Sequence, residues 1–172
     1  MSAIAPVGTA PGSADGRSFL LERVQPALSG LMDGSLSTLA PIFAVALATH
    51  RPLTAFFTGA ATALGAGVSM AFSEGLSDTG DITGRGNPML RGAITGGGTF
   101  TGGIFHTLPF LIPGYGPAIS AAVIVVACEL LTLAYLRHKF FRTSFARSFV
   151  AVAVGGAIIA ALSAALGILA AS

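Results

Sequence analysis

The chain has 172 residues, 53% of them hydrophobic and only 9% charged, with a formal net charge of +2 and no tryptophan. Soluble domains carry about 25% charged residues, so this deficit and a mean hydropathy of +0.81 exclude a water-covered globule and point to a membrane protein. A pI near 9.2 would suit a nucleic-acid partner, but the cations are separated by long cation-free segments rather than gathered in a patch, which excludes that reading.

In chain order, residues 1–22 open MSAIAPVGTAPGSADG and lack the basic start and apolar run of a signal peptide. They are expected to be a disordered cytoplasmic tail. Residues 23–172 are expected to form one transmembrane domain. About 20 apolar residues cross a hydrocarbon core of roughly 30 Å, which places spans near 27–49, 52–76, 92–112, 117–137 and 148–170. The expected fold is an all-α integral membrane protein with five transmembrane helices. Arg17, Arg23, Arg85, Arg91, Arg137, Lys139, Arg142 and Arg147 then share one side and Arg51 stands alone on the other. Because basic ends stay inside, the N-terminus is cytoplasmic and the C-terminus external.

Pro26 suits a first helical turn, whereas Pro41 lies inside the first span and should kink it, as plain geometry or as a gate. Gly30 and Gly34, Gly92 and Gly96, and Gly98 and Gly102 are each four apart, a spacing that lets helix backbones approach closely in lipid. The run GGGTFTGG, residues 96–103, is followed by no Lys-Ser/Thr and is read as packing rather than a phosphate loop. HTLPFLIPGYGP, residues 106–117, should end the third span in a broken helix and a tight turn. Cys128 is the sole cysteine, so no intrachain disulfide forms, and it is expected as a small buried side chain.

Chemistry concentrates on acids at membrane depth. Asp33 lies within LSGLMDGSLSTLAPIFAVALATH, residues 28–50, where a carboxylate costs roughly 2.5–3.5 kcal/mol or more. No span contains an internal Lys or Arg, so cation binding or protonation should neutralise such acids. Met70, Glu74 and Asp78 follow at steps of four along one helix face. A thioether beside a carboxylate suits a borderline cation such as ferrous iron. Asp33 and Met70 are each about six residues from the cytoplasmic end of their spans, roughly 9 Å deep, so they are expected to form one site with Glu74 at its entrance. Accessory candidates are Asp78 and Asp81 beyond the second span, His106 as a hydrogen-bonded structural group or a metal or proton group, and Glu129 as a proton carrier. His50 and His138 belong to the interfaces. There is no nucleophile and base at useful spacing, so no enzyme and no permanently bound cofactor is expected.

Gly30-Leu-Met-Asp33-Gly34-Ser-Leu-Ser37-Thr38 resembles the G-x-x-D-G-x-x-S-T pattern in the first helix of the vacuolar iron transporter family, which includes the yeast vacuolar iron and manganese carriers. Ser69-Met70-Ala71-Phe72-Ser73-Glu74 is similar to that family's S-M-A-x-G-E, and Leu108-Pro109-Phe110 to its late third-helix proline motif. QPALSGLMDGSLSTLAPIFA is closer still to the membrane module of bacterial membrane-bound ferritin. The resemblance covers five spans from about Gln25 onward. It implies a homodimer with a translocation path at the dimer interface, and Asp33, Met70 and Glu74 as transport-site residues. Ser73 replaces the usual Gly, Gly75 the following aromatic and His106 a Pro, while the glutamate-rich cytoplasmic extension of plant and parasite members is reduced to the connection through Asp78 and Asp81.

The function expected from residues and resemblance together is a proton-coupled transporter that moves Fe(II), with Mn(II) as second candidate, out of the cytoplasm. A bacterial inner membrane is the expected location. The competing expectation is a membrane scaffold that binds a separate ferritin-like partner and transports nothing alone.

Overall fold

The structure, a computed structural model, describes residues 16–80 and 83–171. Asp81 and most of the expected tail, residues 1–15, lie outside the described residues. The main helices are α1 (Gln25–Ser37), α2 (Leu39–Thr49), α3 (Pro52–Gly75), α4 (Pro88–Phe105), α5 (Tyr115–Phe141) and α6 (Phe145–Ala171), with no strand among the described residues. Among the described residues four continuous segments are long and apolar enough to cross a membrane: Gly16–Thr49, Pro52–Gly75, Tyr115–Phe141 and Phe145–Ala170. The architecture is that of an all-helical integral membrane protein. The segment expected as a third span behaves differently, because six glycines and three threonines lower the apolarity of α4. Its helix also stops at Phe105, and Leu108–Leu111 forms a separate 3-10 turn.

Helix begins earlier than expected, at Gly16, so residues 16–22 of the expected tail are ordered as helix. Leu20–Val24 is a wide π turn closed by Gln25 N–H donating to Leu20 O. Pro26 explains it: proline has no N–H for the carbonyl four residues back and its ring crowds that carbonyl, and a wider turn relieves both. Pro41 acts similarly one helix later. The α1–α2 break falls at Thr38, because Pro41 cannot bond the carbonyl of Ser37.

α4 is the centre of the bundle, wedged between α1 and α3. A methyl group added at Gly30 or Gly34 would collide with the backbone oxygens of Thr95 and Thr99, and one at Gly92 or Gly96 with those of Ala71 and Gly67. Where apolar burial gives no driving force between helices, such approach lets dispersion and backbone dipoles act at short range. A second cluster lies at the far end, where Ile42, Ala46, Ala55, Phe110, Ala118 and Ala122 are buried together. There the His50 and Tyr115 rings meet edge to face at 4.5 Å, fastening the α2–α3 turn to the start of α5.

Candidate functional site

Three polar groups interrupt the apolar bundle. The first joins the end of α3 to the start of α4. Asn87 caps α4 through its side chain, accepting from the N–H groups of Met89 and Leu90, and Pro88 opens the helix. This start places Arg91 in the first turn, fully buried. Its Nε donates to Glu74 Oε1 at 2.8 Å and its Nη2 to Asp78 Oδ2 at 2.8 Å, while Nη1 donates to the carbonyls of Arg85 and Gly86. Arg85 Nη2 adds a second bond to Glu74 Oε1 at 3.0 Å. The expectation that no cation pairs with these acids is therefore corrected. Arg91 lies one residue before the expected span, and only folding of the 76–87 connection brings it onto Glu74.

Asp78 stands outside the spans, its side chain 15% exposed. Burial pushes its carboxyl up, but hydrogen bonds from Arg91 and the Gly80 N–H outweigh that and hold it below the usual carboxylate value of 3.8. A depressed folded value means the ionised form favours the folded state. The contribution is present above 3.8 and is lost as pH falls through the folded value. Asp78→Asn should accordingly flatten the acid side of a plot of melting temperature against pH while leaving its slope near neutrality unchanged.

The second group surrounds Asp33. It lines a cavity of about 410 Å³ between α1 and α5, with Gln25, Ser29, Met32 and Arg137 among its neighbours. Met70 and Glu74 do not line this cavity. They stand on α3, and α4 lies between α3 and α1, so the single protomer does not assemble the expected Asp33–Met70 site. The short α2–α3 turn makes those two helices neighbours at one end, but the close-approach glycines insert α4 between α1 and α3 at the depth of Asp33.

Sequence reasoning missed Met32 and Arg137. Met32, rather than Met70, places a thioether in the Asp33 cavity. Arg137 Nη1 lies 3.4 Å from Met32 Sδ, and its Nε is buried without a hydrogen-bond partner among the described residues. Among the described residues no cation approaches Asp33 to ion-pair distance. Met32 could have been found from its place beside Asp33. Arg137 could not, being over a hundred residues away.

The third group is a chain of hydrogen bonds through the bundle interior. His106, the residue that ends α4, is fully buried, with Nε2 at 2.6 Å from Thr38 Oγ1 and Nδ1 at 2.9 Å from Glu129 Oε2. Ser35 Oγ donates to Glu129 Oε1 at 3.1 Å. Both ring nitrogens are engaged, so His106 has none left to ligate a metal. Glu129, which has no polar neighbour in sequence, gains its partners from α1 and α4. Cys128 beside it is exposed rather than buried, because α5 turns that face outward.

Among the described residues no group of three or more His, Cys, Asp or Glu side chains is placed to hold a metal ion. Comparison with family models, curated proteins and solved structures finds no match to this chain.

Proposed function

We propose that the protein is a proton-coupled transporter of a divalent cation, Fe(II) with Mn(II) as second candidate, carried out of the cytoplasm by a homodimer in a bacterial inner membrane. One observation carries the reading: the Asp33 carboxylate and the Met32 thioether line the same cavity, where the Arg137 guanidinium contacts Met32 Sδ and, among the described residues, no cation ion-pairs with the acid. A hard and a soft donor side by side favour a borderline cation over calcium or magnesium. An unpaired intramembrane acid points to cation or proton handling. The resemblance of the Asp33 and Met70 segments to the vacuolar iron transporter family supports the same choice of cargo.

In this reading α4 is the fifth crossing. At 1.5 Å per residue its 18 residues extend about 27 Å, close to a hydrocarbon core. Gly92, Gly96, Gly98, Gly102, Gly103, Thr95 and Thr99 pack against neighbouring helices instead of lipid, so low hydropathy is compatible with crossing. The excess of basic residues beside the starts of α1, α4 and α6 then marks the cytoplasmic side. Glu74, held by Arg91 and Arg85, stands at the cytoplasmic mouth, and a cation reaching it must displace the arginines from Oε1. Met70 completes the Asp33 site only if the second protomer brings α3 alongside that cavity.

The test is uptake of ferrous iron and manganese into proteoliposomes, with and without an imposed pH gradient. Wild type should show gradient-driven uptake, and Asp33→Ala should reduce it to the background of empty liposomes. Normal uptake by folded Asp33→Ala would overturn the assignment of Asp33. Equal background flux in both proteins would overturn transport itself and leave the scaffold reading.

A further inference from the structure

The hydrogen bonds around His106 constrain its protons. Thr38 has one hydroxyl hydrogen, and it is donated to the carbonyl of Gly34 at 2.7 Å. With that hydrogen on Gly34, the same hydroxyl accepts from His106 Nε2 at 2.6 Å, and Nε2 carries a hydrogen. A neutral imidazole then presents a bare lone pair at Nδ1. Opposite it, at 2.9 Å, is Glu129 Oε2, whose carboxylate would present another. Two lone pairs at that distance in an apolar interior repel, and one hydrogen between them turns the repulsion into a charge-assisted bond.

The pair is therefore an imidazolium with a carboxylate or an imidazole with a carboxylic acid. Either way it holds one shared hydrogen and zero net charge, the form that low dielectric favours. Loss of that proton to water leaves a neutral imidazole and a carboxylate, one net negative charge that a cation entering the same bundle would offset.

Of the two groups only Glu129 meets an opening. The imidazole is fully enclosed, whereas the Glu129 side chain is 17% exposed and lines a cavity of about 370 Å³ with Ser35, Cys128 and Thr132. Cys128 is the one other titratable side chain lining that cavity. From α1 and the α1–α2 break the Ser35 and Thr38 hydroxyls reach the pair, and among the described residues no group of α3 or α6 forms an ion pair with it. Ser35 is two residues beyond Asp33 on the same helix, and Thr38 is the break itself. A change in α1 at the Asp33 cavity thus bears directly on both hydroxyls that hold the pair.

We infer that His106 and Glu129 together form a binding site for one exchangeable proton, and that this proton is the one exchanged for the transported cation. The second half rests on the transport reading above. The first half does not.

Two measurements separate them. In wild-type protein in lipid nanodiscs, nitrogen NMR of His106, assigned by its loss in His106→Gln, should show Nε2 protonated and a single titration step shared with a carboxyl infrared band that disappears in Glu129→Gln. A neutral His106 protonated at Nδ1 beside a permanently ionised Glu129 would overturn the site. In proteoliposomes the ratio of pH-driven metal uptake to metal–metal exchange should fall on the order of tenfold in Glu129→Gln, whose amide replaces the protonated acid at nearly equal volume. An unchanged ratio would overturn the coupling role. Absence of any metal flux in wild type would overturn the transport reading and with it the coupling role, while the spectroscopic titration still decides whether the proton site exists.

Discussion

Arg91→Ala is expected to lower the unfolding free energy by about 3–5 kcal/mol, the range for removing one member of a buried charge cluster. The magnitude follows from what is left behind. Glu74 and Asp78, with side chains 21% and 15% exposed, lose their shared guanidinium, and the carbonyls of Arg85 and Gly86 lose their donors. Arg91→Lys should recover little of this, because an ammonium cannot reach two carboxylates and two carbonyls with one planar fork. Arg147→Ala, at an exposed position near the start of α6, is the control and should fall within about 0.5 kcal/mol of wild type. Denaturant unfolding in a single detergent compares the three, and an Arg91→Ala protein as stable as wild type would show that the cluster does not hold the α3–α4 junction.

Gly34→Val is expected to destabilise by at least the 1–3 kcal/mol typical of overpacking. The atom in the way is the backbone oxygen of Thr99, not a side-chain tip that could rotate aside. α1 and α4 would have to separate, and Ser35 and Thr38 would move with α1. The effect should therefore appear twice, as a lower melting temperature and as altered signals from His106. Gly97→Ala, where nothing lies within 4 Å, should be neutral or stabilising by roughly 0.5–1 kcal/mol, since alanine loses less backbone entropy in a helix. Equal melting temperatures for Gly34→Val and wild type would refute the close-packed α1–α4 contact.

Legibility in the sequence followed the range of the interaction. Helical spans were readable because length and apolarity are local properties: among the described residues four of the five expected spans coincide with segments long and apolar enough to cross, and the expected third, 92–112, does not. Pro41 marked a distortion because a missing N–H acts within one turn, although the break appears at Thr38, three residues earlier, whereas Pro26, expected in a first helical turn, follows a π turn within continuous helix. The glycine pairs announced that backbones would touch, but not which ones: Gly30 and Gly34 could have met any helix before α4 was seen against them. Cys128 was misjudged because a span has no solvent-facing side to be read from periodicity, and in lipid an apolar residue sits as well outside as inside.

Composition and pattern by themselves determined that this chain is helical, apolar enough to be a membrane protein and marked by acids within its apolar helices. Those conclusions need only transfer energies and helical spacing, which each residue carries with it. Tertiary structure alone decided which acid has which partner: Glu74 and Asp78 with Arg91, Asp33 in a cavity with Met32 and Arg137, and Glu129 with His106 and Ser35. In low dielectric a charge is governed by the few atoms within hydrogen-bond reach. For Glu74 and Glu129 those atoms come from positions 11 to 94 residues away, brought together by the packing of the helices around α4.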